Sequence, residues 1–295
     1  MSLVSFVKID GSDIKGGIRE SLNLIGYRFP NNIRNVVIKP NLCYYWDFST
    51  GQTTDPRFVA ALIELIREEM SSNVDISVVE SDASAMRCKF AFRMLGYEKL
   101  ADDFQVKLVN LSKDKGEVVD VRVGCRLFRL KVPRTIAEAD LKINVPKIKY
   151  MQHTKISCAL KNIFGCNPNP VKFRYHPILD ETIVALNKIM RFNIHILDGL
   201  IASGVKPYKM NLIMASQDPV AFDAAAAKMA GVNPKKVKHI VLAAREGLGN
   251  IDYVPKGERS ETFAKKFPRK GAVTKLLAFA YEMAVKTSII NAEIT

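Results

Sequence analysis

Short apolar runs of strand length alternate with helix-periodic segments along nearly the whole chain, and this alternation restricts the fold more than any other feature. Residues 4–9, 35–38, 74–79, 106–111, 141–145, 193–197 and 210–215 read as strands. Between them lie helical patterns. Residues 11–27 place Ile14, Ile18, Leu22 and Ile25 on one face, and 85–101 form a second pattern with a break near Gly96. Residues 178–190 and 234–245 are further helices. Two more open on Asp55-Pro56 and Asp218-Pro219, an N-cap carboxylate followed by a proline at the first helical position. Strands that alternate with helices predict an α/β fold, a mainly parallel sheet with helices on both faces. Residues 118–132 break the rhythm. They alternate apolar and charged side chains around Gly124, which predicts a small antiparallel hairpin and a weak lobe boundary at 112–132. The family-like α/β domain is expected over 1–260. A basic segment and a helix over 273–290 are expected to pack on the body as a 261–295 tail.

The chain has 295 residues, enough for a large core. No stretch reaches the ~18 consecutive apolar residues of a membrane span, and the first ten residues read as a strand, not a leader. Cys43, Cys88, Cys125, Cys158 and Cys166 are scattered, with no CxxC pair. That pattern predicts a reducing, cytoplasmic setting and no iron–sulfur cluster on the chain's own cysteines. The formal net charge is +14. It suits a small anionic ligand or a nucleic acid, the latter helped by Tyr44, Tyr45 and Trp46 beside Lys39. A solvated basic surface explains the same excess. Membrane contact by the basic tail is not expected, and the oligomeric state is left open.

Five predicted strands end in short polar clusters: Lys39-Pro40-Asn41, residues 80–84 (ESDAS), 147–153 (KIKYMQH), Asp198-Gly199 and Ser216-Gln217-Asp218. Parallel strands would gather these clusters at one edge of the sheet, where open α/β folds bind ligands. The third cluster follows the strand at 141–145, which Pro146 ends, and precedes a helix pattern carrying Ile156, Ala159, Leu160, Ile163 and Phe164. Gly165 is placed to close that helix in a left-handed cap. A helix N-terminus beside Lys147, Lys149, His153 and Lys155 predicts an anion cradle, with Lys161 and Asn162 a turn further on.

The runs at 36–41 (VVIKPN), 139–149 (ADLKINVPKIK), His153, 159–165 (ALKNIFG), 197–199 (LDG) and 215–223 (ASQDPVAFD) resemble the domain-of-unknown-function 362 family over most of the chain. The resemblance implies the same fold class and a shared polar site, and it brings no settled reaction. Some relatives carry ferredoxin-like iron–sulfur segments, so it also implies a redox link. This chain would then take its electrons from another protein.

The candidate roles divide as follows. His153 reads as a general acid–base, the role histidine most often takes, or as a helix-end residue bonded to backbone. Lys39 reads as a ligand charge or proton carrier, or as a solvated strand end. Asn41, Ser81, Lys147, Lys149, Lys155, Lys161 and Asn162 are candidate ligand contacts. Asp198 and Asp218, with Glu80, are the carboxylates that could hold a divalent metal. Asp218 is equally an N-cap, and His195 reads as a core residue. No GxGxxG, P-loop, GxSxG or HExxH motif is present.

Overall fold

A computed structural model describes residues 1–268 except 11, 71–73, 152 and 205. The helix expected at 273–290 lies outside the described residues. In chain order the strands are β1 (Ser2–Lys8), β2 (Asn35–Pro40), β3 (Asp75–Glu80), β4 (Lys107–Asn110), β5 (Gly116–Val123), β6 (Arg126–Pro133), β7 (Leu141–Val145), β8 (Lys149–Met151), β9 (Lys155–Ser157), β10 (Ile194–Ala202), β11 (Tyr208–Ser216) and β12 (Tyr253–Gly257). The helices are α1 (Ile14–Leu24), α2 (Pro56–Glu69), α3 (Cys88–Met94), α4 (Tyr97–Asp103), α5 (Arg134–Ala137), α6 (Ala159–Asn162), α7 (Leu179–Met190), α8 (Pro219–Met229), α9 (Lys238–Arg245) and α10 (Ser260–Ala264).

Eight strands form one sheet in the order β12-β1-β11-β10-β7-β2-β3-β4. Seven run the same way and β11 alone runs against them, pairing antiparallel with both β1 and β10. The two-residue period of a strand sends alternate side chains to opposite faces. In β2, Val36 and Ile38 join the core under α1–α4, while Val37 joins the core under α6–α9. β5 and β6 form the expected hairpin as a sheet of their own. Its Phe128, Leu130 and Val132 enter the second core, beside Ile183 and Leu186 of α7. Asp55 and Asp218 cap α2 and α8 through the amides of Arg57 and of Val220 and Ala221. No helix among the described residues is long and apolar enough to cross a membrane.

Two local expectations change. Residues 147–153 are not an open loop: β8 and β9 pair antiparallel from Lys149↔Ser157 to Met151↔Lys155, so His153 sits in a hairpin tip. The helix behind it is shorter than its apolar spacing suggests. α6 spans four residues and continues as a 3-10 turn over Ile163–Cys166. Gly165 therefore does not adopt a left-handed cap; its φ is not positive. It is required for space instead. A Cβ there would lie 2.9 Å from Lys39 Nζ and 3.0 Å from Glu80 Oε1.

Candidate functional site

Strand register builds the floor of the site. Lys39 pairs with Asn144 across β2 and β7, and Asn144 pairs with His195 across β7 and β10. The three side chains form a polar row, roofed by α6. Asn162 on α6 donates to Lys39 O at 3.2 Å and to Asn144 Oδ1 at 2.7 Å. Asn144 Nδ2 faces Ala159 O and His195 Nδ1, both at 3.0 Å. With Asn144 as donor, His195 carries its proton on Nε2, and burial pulls its pKa down to about 3. His195 is thus a neutral core residue, packed 6.0 Å from the Phe222 ring.

Two lysines beside this row are locked to carboxylates. Lys39 and Glu80 lie 2.8 Å apart with side chains 1% and 4% exposed. Glu80 also accepts from the amides of Ser81 and Leu42. Lys147 and Asp198 lie 3.2 Å apart, 2% and 0% exposed. Asp198 further accepts from the amides of Asp55 and Leu200, which ties β10 to the start of α2. Both carboxylates are therefore spent inside the protein. A buried pair of this kind stabilises little in net terms, but breaking one partner is severe because the other charge stays buried.

Three more lysines at the same edge have no carboxylate partner among the described residues. Lys149 donates to Gln52 O at 3.0 Å and has the Cys43 thiol nearby. Asn41 Nδ2 donates to the same Gln52 carbonyl at 3.0 Å, so Asn41 holds the 42–52 loop over Lys149. Burial lowers the Lys149 pKa. Lys172 donates to Ser81 Oγ at 2.7 Å and to Asn167 O, and burial brings it to about 8. Ser81 passes the bond on to Gly165 O. Among the described residues Lys161 donates no hydrogen bond and makes no ion pair; burial and the Lys149 charge bring it to about 8. His176, at the surface near Lys161, has its pKa lowered by partial desolvation and by His153 and Lys161, and its ring lies 5.0 Å from that of His153.

The expected anion cradle at the helix start is not available to a ligand. The amides of Ala159 and Leu160 are held by the two Asp223 oxygens at 2.6 and 3.2 Å. Asp223 comes from α8, 64 residues on, and is fully buried beside His239. Burial raises the Asp223 pKa, opposed by His239. For His239 burial pulls downward, but Asp180 and Asp223 outweigh it and the pKa is raised. Lys155 does not join the cluster either, since its ammonium donates to Lys236 O at 2.7 Å.

The metal set also fails to assemble. Because β11 is antiparallel, Ser216 pairs with His195 while Asp198 pairs with Ile213. Asp218 thus lies beyond the amino end of β10, at the opposite edge from Asp198. There it accepts from Ser2 Oγ and the Asn250 amide, besides capping α8. Among the described residues no group of three or more His, Cys, Asp or Glu side chains is placed to hold a metal.

Of the expected residues, Lys39, Asn41, Ser81, Lys147, Lys149, Lys161, Asn162 and Asp198 meet at one edge. His153 stands at its rim, and Lys155 and Asp218 lie apart. The sequence reading missed Lys172, which sits in a Pro- and Asn-rich stretch without periodicity, and the polar row of Asn144 and His195, which only register reveals. An open cleft of about 780 Å³ lies elsewhere, between Tyr150, Lys155, Lys228, Ala230, Glu261 and Phe267. Its walls are mainly apolar and hold none of the unpaired lysines, so the chemistry points to the sheet edge.

Over 133 residues the chain is 28% identical to a thylakoid-associated protein of Synechocystis sp., a match covering 41% of each chain, so less than half of that relative's length. Among solved structures, the lactate racemase apoprotein from Thermoanaerobacterium thermosaccharolyticum superposes with a TM-score of 0.42 and 13% identity, covering 83% of this chain and 57% of the other. The description "Domain of unknown function (DUF362)" matches residues 36–228, which include every lysine of the edge cluster, and the chain belongs to that family.

Proposed function

We propose that the carboxyl edge of the sheet binds a small anionic metabolite, a carboxylate or phosphate, with Lys149 and Lys161 as its counter-charges. One observation supports the reading: five lysines gather there, two neutralised by Glu80 and Asp198, and the rest have no carboxylate partner among the described residues. A buried ammonium without a counter-ion is unfavourable, and an anion entering from solvent relieves it. His176, with His153 beside it, is exposed near Lys161 and marks the side facing solvent. Lys39 and Lys147 act through Glu80 and Asp198, fixing the floor. Any redox use of this edge draws its electrons from a second protein.

The test is a thermal-melt panel of phosphate, malonate, citrate and pyruvate, each against sodium chloride of equal ionic strength. At least one anion is expected to raise Tm saturably, and Lys149→Met with Lys161→Met is expected to remove that rise. No specific rise, or one that survives the double substitution, would overturn the reading.

A further inference from the structure

The lysines of the edge differ in what their nitrogens already do. Lys39 donates to Pro40 O and Glu80, Lys147 is paired to Asp198, Lys149 meets Gln52 O and Cys43, and Lys172 meets Ser81 and Asn167 O. Lys161 alone among these five has no hydrogen bond or ion pair with any described residue. Its backbone, by contrast, is held firmly. Asp223 holds the two preceding amides, and Asn162 is pinned to Lys39 O and Asn144. A fixed Cα with an uncommitted amine is the arrangement a nucleophile needs.

We propose that Lys161, within the anion site argued above and dependent on it, condenses with the carbonyl of a small 2-oxo acid to form an imine. Lys149 holds the acid's carboxylate. The Lys161 nitrogen adds to the carbonyl carbon, forming a C–N bond. The carbonyl oxygen takes up protons and leaves as water, and a C=N bond remains. The step is a condensation that needs no oxidant or reductant. His176 and the solvent at the rim carry the protons, since the ammonium must lose one before attack and the departing oxygen must gain one.

The surroundings favour the neutral amine. Burial and the ammonium of Lys149 lower Lys161, a second cation beside a desolvated lysine being an established way to activate it. The groups facing it are Lys149 from β8, the Cys43 thiol from the loop after β2, and His176 from the 3-10 segment Lys172–Ile178. His153 stands behind His176.

The experiment is reductive trapping. The full chain is incubated with pyruvate and sodium cyanoborohydride, digested, and mapped by mass spectrometry, with malonate as competitor. Cyanoborohydride supplies the hydride that turns the imine into a stable secondary amine. The expected result is a reduced adduct on Lys161 at least tenfold above any other lysine, suppressed by malonate. Its formation should be half-maximal near pH 8, the value burial imposes on this amine. Lys149→Met should weaken it about tenfold by loosening the carboxylate, while Lys161→Arg should leave no adduct at that position. Adducts spread evenly over surface lysines, in a protein whose Tm malonate still raises, would overturn the imine and leave the anion site standing. No adduct and no Tm rise with any anion would sink both.

Discussion

Lys147 and Lys149 are neighbours on one strand lead, both buried, yet they meet opposite surroundings. Lys147, like Lys39, is closed onto a carboxylate that accepts further bonds from backbone amides. Among the described residues Lys149 and Lys161 have a carbonyl, a thiol and other lysines around them, and no carboxylate partner. The first pair of lysines binds the protein to itself. The second pair carries uncompensated charge that a folded chain has no structural reason to keep. The difference separates scaffold from proposed site at an edge where residue type alone does not, because all four are buried or half-buried lysines at strand or helix ends.

The comparison breaks first at the scaffold pairs. Glu80→Gln should destabilise the fold by about 3–5 kcal/mol, since it strands Lys39 in a buried position. Urea unfolding measures this, and a loss under about 1 kcal/mol would mean that Lys39 reaches water and belongs with the site lysines. Asp198→Asn should behave alike by leaving Lys147 unmatched.

A smaller effect is expected where Gly165 lets the 3-10 turn close over the Lys39–Glu80 pair. Gly165→Ala pushes a methyl against a locked ion pair, and overpacking of this kind costs roughly 1–3 kcal/mol. An unchanged melt would show that the pair shifts freely.

The site lysines should respond in the opposite sense. Lys161→Met removes a poorly solvated charge and should stabilise the ligand-free protein, by about 1 kcal/mol once partial exposure is allowed for. The sign with pH follows from the same cause. Lys161 and Lys172 titrate near 8 in the fold and near 10.5 when unfolded. Between those values the unfolded chain holds more protons, so stability should rise as pH climbs from about 8 to 10.5. Lys161→Met should flatten that rise. A wild-type stability that falls over this window would contradict the placement of both amines.

Much of this was legible in the sequence where the cause is local. The Asp-Pro caps, the hairpin around Gly124 and the stop at Pro146 depend on neighbouring residues, and the structure shows them there. The failures have long-range causes. Grouping Asp218 with Asp198 requires parallel strands; β11 runs the other way, and nothing within 210–215 signals its direction. Asp223 fills the start of α6 from 64 residues away, a pairing no spacing rule anticipates. Lys172 carries no periodic signal. Charge type and strand ends located the edge, but only register and pairing told the neutralised lysines from the open ones.

Proton uptake on anion binding tests the central claim most directly. An anion held by Lys161 must raise its pKa from about 8, so binding at pH 8 should draw protons from the buffer. Isothermal titration with the tightest anion of the panel, in two buffers of different ionisation enthalpy, gives the number of protons taken up. The account predicts net uptake in the wild type and none in Lys161→Met. Binding with no uptake, or equal uptake in both proteins, would contradict it.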